Sequence, residues 1–142
     1  MKTILAFALL LMLLACEKPI SPFTIDPAKT YTPTELTAQA TGSCNVTHPW
    51  EGKTVSVVGH IESLNLFTHK FWLYDDGGRG FVEIYSADPS AQSGREVYEF
   101  AKANTGRTIT ITGLTVGTDL PTQLSCKKGV SVQITDKTAI TF

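Results

Sequence analysis

Apolar and polar residues alternate through most of the chain after residue 50, which predicts a protein built mainly from β-strands. The segment 75–80, Asp-Asp-Gly-Gly-Arg-Gly, separates two alternating runs and is typical of a hairpin turn. Gly59 interrupts the alternation of the first run, and a glycine inside a strand predicts a β-bulge there. The strands predicted in this way cover residues 53–62, 71–74, 81–85, 107–112 and 130–135.

Two helices are predicted by other signals. Thr32 supplies a capping hydroxyl, Pro33 suits the first helical position, and Glu35 follows the cap by three residues, so a short helix is expected over residues 33–40. Apolar residues recur at spacings of three and four in residues 93–104, which predicts an amphipathic helix.

The element order is therefore strand, strand, strand, helix, strand, strand. Its motifs are Gly52-Lys53-x-Val55 with Gly59, Phe71-x-Leu73-x-Asp75, and Gly106-Arg107-x-Ile109-x-Ile111-x-Gly113. Residues 52–142 thus resemble the OB-fold, and the short helix is similar to the one before the barrel in OB-fold lipoproteins of the tRNA-anticodon-like class. The resemblance implies a mainly β fold: a five-stranded OB-fold barrel with a helix between strands 3 and 4 and a short helix before strand 1. An immunoglobulin-like sandwich is the main alternative, which the mid-chain helix and the presence of only five good strands disfavour.

The N-terminus has the pattern of an export signal. Lys2 precedes an apolar run that ends at Ala15-Cys16, and the run is too short for a stable membrane span. It resembles a bacterial lipoprotein signal, which implies cleavage before Cys16, lipidation of that cysteine and attachment to a membrane through the lipid. An ordinary signal peptide with a chance cysteine is the alternative. Residue 17 is Glu, whereas Asp at this position is the inner-membrane retention signal of some enteric lipoproteins. We therefore expect a cell-envelope protein at the outer membrane facing the periplasm.

The expected organisation is a signal peptide over residues 1–15, a lipidated cysteine with a flexible proline-containing linker over residues 16–30, and an OB-fold domain over residues 31–142. Removing the signal leaves 11 of the 12 Lys and Arg residues against 13 Asp and Glu residues. Nucleic-acid binders generally carry a basic surface, so this balance disfavours a nucleic-acid partner.

Cys44 and Cys126 remain as an even pair if Cys16 carries lipid, and a pair of cysteines outside the cytoplasm favours a disulfide. The OB-fold resemblance supports the bridge, because strand 4 of that fold returns beside the beginning of strand 1. The alternative is a metal site formed by Cys44, His48 and Cys126, which offers only three ligands.

Side-chain parity defines a candidate binding face on strands 2 and 3, where OB-folds bind ligands. Phe71, Leu73, Val82 and Ile84 should face the core, since Asp75 and Glu83 must avoid it. The outward residues of the predicted ligand-binding face are Trp72, Tyr74, Phe81, Glu83 and Tyr85, with His60 beside them on strand 1.

The predicted face has two interpretations. Aromatic rings on such a face stack on bases or sugar rings and anchor protein interfaces. Alternatively the linker or the short helix covers it, and the aromatic pairs only stabilise the sheet. The loops over residues 64–70 and 118–128 should edge a ligand bound there.

We therefore predict a lipid-anchored extracytoplasmic OB-fold binding module that is not an enzyme and recognises an envelope protein or an oligosaccharide through the aromatic face. One alternative is a single-stranded nucleic-acid-binding OB-fold protein. Another is a metal-binding or enzymatic lipoprotein that uses His60 and Glu62. The sequence indicates no catalytic residues, no metal ligands and no cofactor: Gly-x-Ser-x-Gly, His-x-x-x-His and His-Glu-x-x-His are absent.

Overall fold

A computed structural model of the chain describes residues 22–121 and 126–142. In this part of the chain, eight strands form one mixed sheet, accompanied by two α-helices and a short 3-10 helix. The strands are β1 (Thr30–Tyr31), β2 (Gly42–Ser43), β3 (Thr54–Asn65), β4 (Lys70–Tyr74), β5 (Phe81–Ser86), β6 (Thr108–Pro121), β7 (Cys126–Ile134) and β8 (Ile140–Thr141). The helices are α1 (Pro33–Gln39) and α2 (Gln92–Ala103), and the 3-10 helix is Lys137–Ala139.

The five longer strands pair in a ring. β3 pairs with β4, β4 with β5, β5 with β7, β7 with β6, and β6 returns to β3; the β5–β7 contact is parallel and the others are antiparallel. The predicted mainly β, OB-like order with two helices is confirmed in outline. The expected plain five-stranded barrel is corrected, because β1, β2 and β8 extend the sheet on β3, β7 and β6. Strands of two residues are too short to show an alternation in the sequence.

The core lies inside this ring, and the predicted alternation decides which side chains enter it. Phe71, Leu73 and Ile84 are fully buried, as the pattern predicts. α1 adds Leu36 to the same core. The capping box of α1 is formed as predicted: the Thr32 hydroxyl accepts a hydrogen bond from the backbone N–H of residue 35, and that glutamate's carboxylate accepts one from the N–H of Thr32.

The irregularities of β3 and β6 differ from the prediction. The register of β3 shifts between Ile61 and Ser63 rather than at Gly59. Gly59 stays in regular register, and a Cβ on it would lie 2.8 Å from the backbone oxygen of Tyr74, so the glycine permits close approach of β4. β6 continues well beyond residue 112 because its pairing with β7 begins at Leu114, past the last clean alternation.

The predicted disulfide joins Cys44 to Cys126, whose Cα atoms are 5.4 Å apart and whose sequence separation is 82. On the chain-entropy model, closing a loop of this length stabilises the fold by about 4 kcal/mol. A largely buried ion pair reinforces the link, with Lys128 Nζ 3.2 Å from Glu51 Oε1. Together they hold the segment before β3 against the β6–β7 hairpin.

The predicted signal peptide and Cys16 lie outside the described residues, as does the first part of the predicted linker. Phe23 and Ile25, from the later part of that linker, pack against the core. Within residues 22–121 and 126–142, no helix combines the length and apolarity needed to cross a bilayer.

We expect Glu51→Gln to lower the free energy of unfolding at pH 7 by about 1 kcal/mol, because it removes the charge that Lys128 pairs with. Hydrogen bonding to the backbone N–H of His48 and the nearby Lys128 ammonium lower the pKa of Glu51. A lowered pKa in the folded state contributes stability above the unfolded pKa, and that stability is lost as the pH falls through the folded value. Urea unfolding should therefore show a deficit at pH 7 that shrinks in acid.

Glu99→Gln is the matched control, since Glu99 forms an exposed pair with Lys102 on α2 at 3.8 Å. An equal deficit for both variants, or a Glu51→Gln deficit that grows in acid, would contradict the role of Glu51.

Candidate functional site

The outer face of β4 and β5 carries the aromatic residues of the predicted site. Trp72, Tyr74 and Tyr85 are half-buried, and Phe81 is 55% exposed. Leu73 is fully buried between Trp72 and Tyr74, so the indole and the phenol point away from the core.

Part of this face forms the floor of a groove of about 350 Å³. Trp72, Phe81 and Glu83 lie on the floor, and Arg79 lies at one rim. One wall comes from α1 and the residues after it, and the other from the β6–β7 hairpin. The wall residues are Thr37 and Thr41 on the first side and Thr118, Leu120, Gly129, Val130 and Ser131 on the second.

The polar groups of the groove are partly organised by neighbours. Glu83 accepts a hydrogen bond from Lys70 Nζ at 2.8 Å, and that ammonium also lies 5.4 Å from the ring centroid of Tyr85. Burial and the Glu83 carboxylate raise the pKa of Tyr85, so its phenol stays neutral. On the opposite wall the hydroxyls of Thr118 and Ser131 lie 2.9 Å apart. The groove thus combines two aromatic rings with a carboxylate, a guanidinium and hydroxyl groups.

A second part of the predicted site lies beside the groove. His60, Tyr74 and Phe81 are cross-strand neighbours on β3, β4 and β5, with ring centroids 6.3 Å apart for the first pair and 5.6 Å for the second. His60 Nε2 is 2.8 Å from Glu62 Oε1, and its Nδ1 is 3.7 Å from Asp76 Oδ1. The structure therefore brings Trp72, Phe81 and Glu83 together in the groove but places His60 with carboxylates outside it.

The walls include residues that the sequence did not single out. The residues of α1 that line the groove are polar positions of a predicted helix, and nothing in the local pattern indicates which face of the barrel that helix covers. The predicted edge over residues 118–128 does contribute a wall, although its lining residues lie in strands rather than in a loop. The other predicted edge, 64–70, lies instead beside α2, where the ring centroids of His69 and Tyr98 are 5.3 Å apart.

The alternative metal site of Cys44, His48 and Cys126 does not form. His48 stacks on Trp50 with parallel rings 5.5 Å apart, and its Nε2 is 2.9 Å from the Ser43 carbonyl oxygen. Asp119 instead approaches the cysteines, with a carboxylate oxygen within 4.8 Å of both sulfurs. Because those sulfurs are bonded to each other, neither is a thiolate that could bind a metal.

Comparison with known proteins supports the fold class. No family model matches the chain, and no curated protein matches it. The OBody AM3L09 bound to hen egg-white lysozyme has a similar structure, with 17% identity, a TM-score of 0.50, and coverage of 85% of this chain and 95% of that one. The chain therefore has an OB-like fold.

Two further solved structures match less closely. The OBody AM1L10 bound to hen egg-white lysozyme has 19% identity and a TM-score of 0.44 over 78% of this chain and 90% of that one. The aspartyl tRNA synthetase from Entamoeba histolytica has 12% identity and a TM-score of 0.42 over 82% of this chain and 26% of that one.

The outward position of the indole predicts different costs for two adjacent truncations. Leu73→Ala should lower the free energy of unfolding by about 3 kcal/mol, because it empties a fully buried site. Trp72→Ala should cost less, about 1–2 kcal/mol, since the indole lies on the outer face and is only partly buried. Denaturant unfolding of both variants checks this, and a larger loss for Trp72→Ala would mean that the indole is a core residue.

Proposed function

We propose that this protein is a non-enzymatic OB-fold binding module that holds an oligosaccharide of the cell envelope in the groove. A lipid on Cys16 would anchor it to the outer membrane, facing the periplasm. The observation that carries the proposal is the groove itself: Trp72 and Phe81 share its floor, and Glu83 and Arg79 also line its volume of about 350 Å³.

The chemistry of the groove suits a sugar chain. The C–H faces of a pyranose ring pack on aromatic rings, while its hydroxyl groups donate to a carboxylate and accept from a guanidinium. A polynucleotide would need several cations along the groove to neutralise its phosphates. Arg79 is the one basic residue among the described residues that line the groove, and the mature chain has an acidic excess, so an uncharged ligand is the better fit.

A segment of an envelope protein is the second candidate. It is favoured by the exposed apolar side chains at the groove, since Phe81 and Leu120 are each about half exposed. Aromatic residues in partly desolvated pockets commonly anchor protein partners.

Trp72→Ala should weaken binding of a linear β-linked N-acetylglucosamine or glucose hexasaccharide more than about tenfold, because it removes a large aromatic surface on which a sugar ring packs. Phe67→Ala is the matched control: Phe67 is 95% exposed and lies in the β3–β4 loop, away from the groove. Titration calorimetry should show the loss only for Trp72→Ala. Equal losses, or no binding of either sugar by the wild-type chain, would reject the oligosaccharide.

A photo-crosslinking amino acid at position 81, with one at position 67 as the control, distinguishes an oligosaccharide partner from a protein partner in envelope extract. Glycan adducts at position 81 support the proposal, and a discrete protein adduct replaces it with the second candidate. Binding of single-stranded DNA that is strong at low salt and disappears at physiological salt would instead indicate a nucleic-acid protein.

A further inference from the structure

The disulfide connects the two walls of the groove. Thr41 belongs to one wall and Gly129 to the other, and each lies three residues from a cysteine of the bridge, Cys44 and Cys126 respectively. Close to the disulfide, β2 pairs with the beginning of β7 over only two residues. The covalent bond therefore fixes the distance between the walls at a point where the sheet itself contributes little.

The two cysteine residues differ in their exposure to solvent. Cys44 is 8% exposed, whereas Cys126 lies exposed at the first position of β7. Thiol–disulfide exchange begins when a thiolate attacks one sulfur and the other leaves. Attack at Cys126 with Cys44 as the leaving thiolate is the sterically open route.

Asp119 places a negative charge within 4.8 Å of both sulfurs. This charge repels an approaching thiolate and disfavours the thiolate that leaves. Lys128 lies opposite Asp119 across the β6–β7 ladder, but its ammonium is held by Glu51 and by the Val46 carbonyl oxygen at 2.7 Å. Exchange should therefore depend on the charge of the attacking thiol.

We propose that Cys126 is a thiol-exchange site, at which a dithiol opens the bridge and releases the two walls of the groove. One thiolate of the dithiol attacks Cys126 Sγ, the disulfide bond breaks, and Cys44 Sγ takes the electron pair and then a proton. The second thiol of the reagent then attacks the mixed disulfide, releasing Cys126 as a thiol. The dithiol is oxidised to a disulfide, and the bridge is reduced by two electrons. The effect on a ligand rests on the proposed function; the exchange itself does not.

The site of attack and the charge effect are tested on the oxidised protein with cationic cysteamine, neutral 2-mercaptoethanol and anionic 3-mercaptopropionate. Each rate is normalised to the same thiol's rate on hydroxyethyl disulfide. Asp119→Asn should accelerate the anionic thiol about fourfold at low salt relative to the neutral one and leave the cationic thiol no faster. Asp76→Asn, which alters a fully exposed carboxylate in the β4–β5 turn, is the control and should change nothing.

Mass spectrometry of the trapped mixed disulfide should find the reagent on Cys126. Adducts on Cys44 would overturn the assignment of Cys126 as the site of attack. The same relative rates of the three thiols in Asp119→Asn as in the wild-type chain would overturn the charge effect of Asp119.

Release of the walls is measured by amide hydrogen exchange before and after reduction with dithiothreitol. Exchange at Ser43 and Lys127 should rise at least about tenfold, while the core amides of Val57 and Ile111 keep their protection. Unchanged exchange at Ser43, or loss of protection throughout the core, would overturn the proposed local opening.

Hexasaccharide affinity of the reduced chain then tests the coupling. A tenfold or greater loss supports it, and equal affinity in both redox states overturns it. If the oxidised chain binds no sugar, the proposed function fails. The thiol-exchange rates and hydrogen exchange still test whether Cys126 is a thiol-exchange site.

Discussion

The two-sided pairing of β3 is the constraint on which the rest of the structure depends. β3 pairs with β4 along one edge and with β6 along the other, so the sheet closes on itself and acquires an inside and an outside. Once the ring is closed, the period of two along each strand assigns every side chain to one side. Leu73 then enters the core, and Trp72 is directed outward, as the local alternation predicts.

The groove arises from what is added to the ring. α1 lies against β5 and β7, and β6 and β7 extend together as a hairpin, so two walls rise beside the β4–β5 face. The walls are connected through the disulfide and the Glu51–Lys128 pair rather than through an extensive ladder. A rigid aromatic floor is thereby combined with walls whose spacing depends on a few specific contacts.

The sequence predicts those features that local patterns determine. The capping box at Thr32 forms as expected, because its partners lie three residues apart, and the alternation of residues 71–85 is a property of two adjacent strands. The cysteine pair was predictable from compartment and topology together. Of the groove walls, the one from residues 118–128 was expected from the OB-fold resemblance. The wall from α1 was not, because Thr37 and Leu120 line the same groove through packing between residues far apart in sequence, which no periodicity encodes. The prediction placed the register shift of β3 at Gly59 rather than near Ile61 for a related reason. Gly59 permits close contact with β4, and in the sequence a glycine with that role looks the same as one that forms a bulge.

Closure of the ring is tested most directly at His60, which is paired with Tyr74 on one side and Thr108 on the other. Nuclear Overhauser contacts of its backbone protons in the oxidised protein report both neighbours in a single spectrum. We expect cross-strand contacts from His60 to both residues. Contacts to Tyr74 alone would mean an open sheet, in which neither the outward indole nor the groove beside it follows from the strand order.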